Sequence, residues 1–203
     1  MSIAPTAKAT PSRRRKRPHQ AILAATVELL ETQGYQALTI EGIAQKAGVG
    51  KQTIYRWWSS KAAIVMEAYT QKASQRIPLP DTGSVSLDVQ ELLERLFTIL
   101  TTTSAGKVVA SLIAEAQLDS EFALAFREGF VATRRQALRE LLERGRDRGE
   151  LRADCDVELV IDTLYGAAWF RLLNQHAPLD SKFAKNLVDQ MMASIGKAVS
   201  KDI

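Results

Sequence analysis

Gly48-Val49-Gly50 separates two short stretches, each with one apolar side. Upstream, Ile40, Ile43, Ala44 and Ala47 recur at the i, i+3, i+4, i+7 spacing of one helical face. Thr39 stands where its hydroxyl can cap that helix. Downstream, the segment from about Lys51 to Trp57 predicts another short helix, with Ile54 turned back toward Ile40, Ile43 and Ala47. Gly48 suits a left-handed turn, which a residue with a Cβ adopts only at a cost. Val49 can fill the angle between the helices. Two short helices joined by a three-residue turn that opens on glycine form a helix-turn-helix.

The side of the last helix opposite Ile54 presents Lys51, Gln52, Thr53, Tyr55 and Arg56, side chains able to bond phosphates or base edges. A helical hairpin inside an ordinary bundle is the alternative. Glu41 is the single acid between Thr39 and Lys61, which counts against a plain bundle. Charge is also unevenly spread. Residues 1–61 hold ten Lys/Arg against three acids, a balance of +7, while the remainder holds 17 against 20, a balance of −3. A basic head on a slightly acidic body fits a nucleic-acid-binding end, and a solvated basic tail is the bland alternative.

Around this segment the rhythm is helical throughout, with no convincing strand alternation, repeat or heptad run. Residues 1–12, rich in Ala, Thr, Ser and Pro, are expected to be disordered. An opening helix carries Ile22, Ala25, Leu29 and Leu30 on one face and stops at Gly34. Ser59 and Ser60 can cap a fourth helix bearing Ile64, Val65, Ala68 and Tyr69. Pro78, Pro80, Asp81 and Gly83 break the chain, and further helices are predicted near 86–102, 106–117, 120–148, 156–176 and 180–199. The fold class is therefore all-α with about nine helices: a flexible basic arm over 1–17, a helix-turn-helix domain over 18–64 and a helical-bundle body over 65–203.

The run ILAATVELLETQGYQALTIEGIAQKAGVGKQTIYRWWSSKAAIV resembles the DNA-binding head of the tetracycline-repressor (TetR) family of bacterial regulators. The likeness spans about Ala21–Val65, in order and spacing: an opening helix, Gly-Tyr, a Leu-Thr entry, Ile-Ala, Ala-Gly-Val, Ile-Tyr, an aromatic pair and Ser-Lys. That aromatic pair usually ends in Phe; here it is Trp57-Trp58. The resemblance implies that Thr39 caps the second helix and touches a phosphate. It places Gly50, Lys51, Gln52 and Thr53 at the start of a base-reading helix, Tyr55 on a phosphate and Trp57 near the DNA backbone. Lys61 would bind phosphate at the start of the fourth helix, and Arg56 would read guanine or bind phosphate. Trp58 reads as core and Lys46 as a solvated lysine. The arm Arg13–Arg17 fits either a solubility tail or, more readily, a strand laid along the minor groove or the phosphates.

The body resembles a TetR-type ligand-binding and dimerisation domain through LIAEAQLDSEFALAFREGFVATRRQALRELLERGRDRGEL and YGAAWFRLLNQHAPLD. The helix near 156–176 carries two apolar stripes, Val160, Leu164, Ala167, Ala168 and Arg171 on one side and Tyr165, Trp169, Leu172 and His176 on the other. A helix apolar on two faces needs two partners, so one face is expected to meet a second copy. Leu187, Val188, Met191, Ile195 and Val199 on the last helix can join it in a four-helix interface; burial within one chain is the alternative. Candidates for a ligand pocket are Tyr69, Phe97, Leu100, Leu112, Glu115, Phe126, Trp169 and Arg171, most of which serve equally as core. Arg171 lies on an apolar stripe and calls for a carboxylate partner, Glu115 being the candidate.

Other classes find little support. The basic run before Ala21–Leu30 mimics a signal peptide, but Thr26 and Glu28 interrupt the apolar part and no small-residue cleavage site follows. No stretch approaches the roughly 20 apolar residues of a membrane span. Cys155 is the single cysteine, and His19 and His176 are far apart, so neither a disulfide nor a zinc site is expected. No Gly-rich phosphate loop, nucleophile elbow or His-Glu-x-x-His motif suggests an enzyme. The expectation is a cytoplasmic, sequence-specific transcriptional regulator: a homodimer on double-stranded DNA with a palindromic operator, a repressor answering a small-molecule effector and using no cofactor or metal. A DNA-binding architectural or partner-protein module without a ligand is the alternative.

Overall fold

The computed structural model describes residues 13–74 and 79–197, with the backbone alone described for 13–16 and 72–74. Residues 1–12, Pro78 and Val199 lie outside the described residues. The chain is all-α: α1 (Arg13–Ala37), α2 (Ile40–Ala47), α3 (Lys51–Tyr55), α4 (Lys61–Ser74), α5 (Val85–Thr102), α6 (Ala105–Leu118), α7 (Ser120–Phe126), α8 (Ala132–Asp147), α9 (Val157–Asn174) and α10 (Ser181–Ile195). A π-helical turn, Arg127–Val131, joins α7 to α8 without a break. Counted as one element, these make nine helices among the described residues, and the only extended pairing there is an isolated bridge between Leu151 and Gly196.

Side-chain caps set several helix starts. Thr39, Asp119, Asp156 and Asp180 accept from backbone N–H groups of the first turn that follows each, as at Asp180, where Phe183 N donates at 2.8 Å. The Arg13–Arg17 run, expected to be a flexible arm, instead opens α1; Arg and Lys are good helix formers and only Pro18 interrupts them. Gly34, at φ +77°, is where α1 loses helical geometry. The helix expected from Lys51 to Trp57 stops at Tyr55.

The chain divides into two units at Tyr69/Thr70. The first buries Ile22, Leu23, Leu30, Leu38, Ile43, Ile54, Trp58, Ile64 and Val65 around α1–α4. In the second, α5 packs against α6, α8 and α10, and α8 against α9. Its centre holds Phe97, Leu112, Leu138, Leu141, Leu142 and Ile161, all nearly inaccessible. Gly145 is required where α8 meets the start of α5: a Cβ there would lie 2.5 Å from Val85 Cβ. That start is further tied by Asp88, which accepts from Thr82 N at 2.7 Å, and by Glu150, which accepts from Val85 N at 2.8 Å.

Candidate functional site

In the first unit, α2 and α3 are held by the features that define the motif. Thr39 Oγ1 accepts from Gly42 N at 3.0 Å. Gly48 takes the left-handed conformation at φ +66°, and Val49 N returns to Ala44 O at 2.9 Å. Ile54 is fully buried, as are Ile43 and Ala44 behind it. Burying Ile54 turns the other side of α3 outward: Lys51, Gln52, Tyr55 and Arg56 are exposed and Thr53 half-buried, with Tyr55 56 % accessible. The structure thus turns Lys51, Gln52, Tyr55 and Arg56 outward on the side of α3 opposite Ile54.

Two of the lysines on this surface are already engaged. Lys51 Nζ donates to Glu41 Oε1. That hydrogen bond holds the Glu41 carboxyl below its ordinary range and the Lys51 ammonium above its own. Lys61 Nζ donates to Tyr35 O at 3.1 Å and lies 4.3 Å from the centre of the Tyr35 ring. Ser60 Oγ accepts from Ala63 N at 3.2 Å, so the cap of α4 falls on Ser60. Lys46, expected as a solvated lysine, reaches Glu28 at 2.5 Å.

Sequence reasoning missed a cluster behind α3. His19, expected in the basic arm, lies within α1; its ring stacks on Trp58 at 4.8 Å and meets Trp57 edge-on at 4.9 Å. Glu67 holds both neighbours, accepting from Trp58 Nε1 at 2.7 Å and lying 3.1 Å from His19 Nε2. Trp58 is core, as expected, while Trp57, two residues past the end of α3, stays 40 % accessible. Nothing local in the sequence joins His19 to residues nearly forty positions away.

In the second unit a cavity of about 410 Å³ opens among α6, α7, the π turn, α8 and α9. Of the residues expected to line a pocket, it contains Phe126 and Trp169. Phe97 and Leu112 are core, and Leu100 and Arg171 border a separate recess between α5, α6 and α9. Tyr69 ends the first unit, and Glu115 is half-buried outside both recesses. The Glu115 partnership expected for Arg171 does not form. Arg171 Nη1 donates to Pro178 O at 2.6 Å, and its guanidinium lies 3.3 Å from the centre of the Phe183 ring. A carbonyl and an aromatic face satisfy the charge without a carboxylate.

The outward face of α9 also differs from expectation. Tyr165 is buried in its own chain, donating to Arg134 O at 3.1 Å and stacking on Trp169; burial pushes its phenol up to about 12. Met191 is buried as well, Leu172, Leu187 and Ile195 are half-buried, and His176 is exposed beside Phe170. The accessible stripe is Leu159, Thr163, Gly166, Phe170 and Leu173, with Leu159 and Phe170 about 60 % exposed. Its centre is threonine and glycine, so the apolar pattern that marks such a face is broken in the sequence. Beside it, Glu158 accepts from Arg139 Nε and Arg135 Nη2, each at 2.6 Å, and these hydrogen bonds hold its carboxyl at about 2.

Residues 22–68 match the family described as bacterial regulatory proteins, tetR family, and residues 79–191 match the tetracyclin repressor-like C-terminal domain. The chain belongs to the TetR family. It is 40 % identical over 170 residues to the HTH-type transcriptional regulator YdeS of Bacillus subtilis (strain 168), covering 84 % of this chain and 85 % of that one. The crystal structure of the TetR family transcription regulator SCO0332 is 36 % identical, with a TM-score of 0.78 over 87 % of this chain and 97 % of that one. Thermus thermophilus FadR, a TetR-family transcriptional repressor solved with lauroyl-CoA, shares the fold at 19 % identity and a TM-score of 0.66, over 91 % and 98 %. As a TetR-family member the chain is a DNA-binding transcriptional regulator, and α2–α3 is its helix-turn-helix. Among the described residues no single helix is long and apolar enough to cross a membrane, and no cluster of His, Cys, Asp or Glu could hold a metal ion.

Proposed function

We propose that the chain is a homodimeric, effector-responsive repressor that sets α3 of each copy into the major groove of a palindromic operator. The outward face of α3, fixed by the buried Ile54, carries this reading. Gln52 and Arg56 have the donor and acceptor pattern for adenine and guanine edges, with Thr53 beside them. Thr39, Gly50, Tyr55, Trp57 and Lys61 border phosphates, and Lys51 reaches one by leaving Glu41. Two copies joined through the α9 stripe carry two recognition helices, whose half-sites lie about 34 Å, or a multiple of it, apart. A cavity of about 410 Å³ in the body is of effector size. The lauroyl-CoA bound to the Thermus repressor supports a ligand-responsive body without naming the ligand here.

Selection from a randomised duplex library at two salt concentrations tests this. The native chain should enrich a palindrome. Gln52→Ala and Thr53→Ala should relax preference at particular base pairs by roughly 1–3 kcal/mol. Tyr55→Phe should weaken all sequences alike, as should Lys61→Ala, which should also flatten the salt dependence. Failure to enrich a palindrome, with α3 substitutions mattering no more than body ones, would overturn the assignment.

A further inference from the structure

We propose that the α6–α9 cavity binds a largely apolar effector bearing an acidic or other acceptor group, and that a second copy of this chain closes its mouth, so that effector binding and dimerisation reinforce each other. The proposal rests on the dimeric, effector-responsive reading above. Four rings supply the apolar walls. Phe126 and Phe130 stack at 4.9 Å with 13° between planes, and Tyr165 and Trp169 stack at 5.8 Å, again at 13°. These rings give the cavity a largely aromatic wall suited to an apolar guest. The π turn contributes Phe130 and Val131; such turns are uncommon in helices and concentrate at functional sites.

The polar edge is cationic. Arg134 and Arg135 line the cavity with the single acid Asp162. Asp162 is already engaged by Arg135, which Glu158 also holds. Arg134 lies with its guanidinium 3.7 Å from the centre of the Phe130 ring. Five N–H groups in a planar fork leave it able to donate to a guest beyond whatever else it binds.

The mouth lies on the outward side of α9. Gly166 and Leu173 line the cavity and also belong to the exposed stripe. A Cβ at Gly166 would meet nothing within 4 Å, so this edge is open. The stripe Leu159, Thr163, Gly166, Phe170, Leu173 steps by four, three, four and three residues. That is the seam spacing by which a helix packs against another copy of itself. A partner helix on this seam lies across the cavity's open edge. By linkage, a guest bound more tightly by the dimer must tighten the dimer by the same factor.

Two dyes that differ by one acidic group serve as probes: anilinonaphthalene sulfonate and the neutral phenylnaphthylamine. Fluorescence titration and sedimentation are run on the full chain across a dilution series, and on three variants whose helicity is checked by circular dichroism. The native chain should bind the sulfonate dye better than the neutral one, lose affinity on dilution to monomer, and dimerise more tightly with dye present. Ile113→Trp, which fills the cavity from α6, should lose dye and remain dimeric. Arg134→Met should erase the preference for the sulfonate. Phe170→Lys lies on the seam but outside the cavity; it should be monomeric and bind dye at least about tenfold more weakly. Monomeric Phe170→Lys with undiminished affinity, or affinity that ignores protein concentration, would overturn the closure and leave the dimeric regulator standing. Dye bound equally by Ile113→Trp would overturn the cavity assignment, and equal binding of the two dyes would overturn the effector class. A native chain that sediments as a monomer at micromolar concentration would overturn the parent reading itself.

Discussion

The two units carry function in opposite ways. In the first, the groups proposed to meet DNA come from one short segment, Thr39 to Lys61, which runs through α2 and α3 to the start of α4. In the second, the cavity takes its walls from α6, α7, the π turn, α8 and α9, with lining residues from Ile113 to Leu173. A site built within one supersecondary motif can be read from spacing, because helix geometry fixes which side chains share a face. A site built between packed helices depends on which faces meet, and spacing leaves that open.

Substitutions can break this contrast if damage in one unit spreads to the other. The largest effect should come from Ile54→Ala, since Ile54 is fully buried and anchors α3. The loss of packing should cost roughly 2–5 kcal/mol, abolish DNA binding and spare dye binding by the body. Denaturant unfolding followed by both dye and DNA titration checks it, and loss of dye binding would show that the units do not fail independently. Gly145→Ala is the converse test. A Cβ 2.5 Å from Val85 forces α5 and α8 apart, at a cost of roughly 1–3 kcal/mol in the body. A body unchanged in denaturant midpoint would refute the close approach.

Smaller effects sharpen the picture of each surface. Glu41→Gln removes the acid that engages Lys51. DNA affinity should then rise by about threefold to tenfold at low salt, with the gain shrinking as salt screens it. No gain would place Lys51 away from the phosphates. The smallest effect should be at Glu158, whose carboxyl sits at about 2 against an ordinary 4.5. Because the folded value is depressed, its contribution is whole above pH 4.5 and is lost as the pH falls through about 2. Glu158→Gln should therefore lower stability modestly at neutral pH and converge with the native chain near pH 2, flattening the acid limb in that window, as urea melts across pH would show. An unaltered acid limb would mean that the Arg135–Glu158–Arg139 clamp joining α8 to α9 contributes nothing in solution.

The sequence by itself determined most of the helices, the caps at Thr39 and Ser60 and the outward face of α3. Gly48 and Thr39 act through the backbone and residues three or four positions away, and Ile54 acts through α2 just across the turn, relations that helix geometry and a short turn fix. Phe126 and Trp169, read from the sequence as aromatic candidates for a pocket, line the cavity. Only the tertiary structure decided which face of α9 remains outside. Tyr165 and Gly166 are adjacent in the chain and about 100° apart on the helix. Packing against α8 buried the first and exposed the second. The same holds for Arg171, which found Pro178 O and the Phe183 ring rather than Glu115, and for His19, which found two tryptophans and Glu67. Each of these choices is a contact between segments distant in the chain. Such a contact is set by how whole helices pack, a property that no single stretch of residues contains.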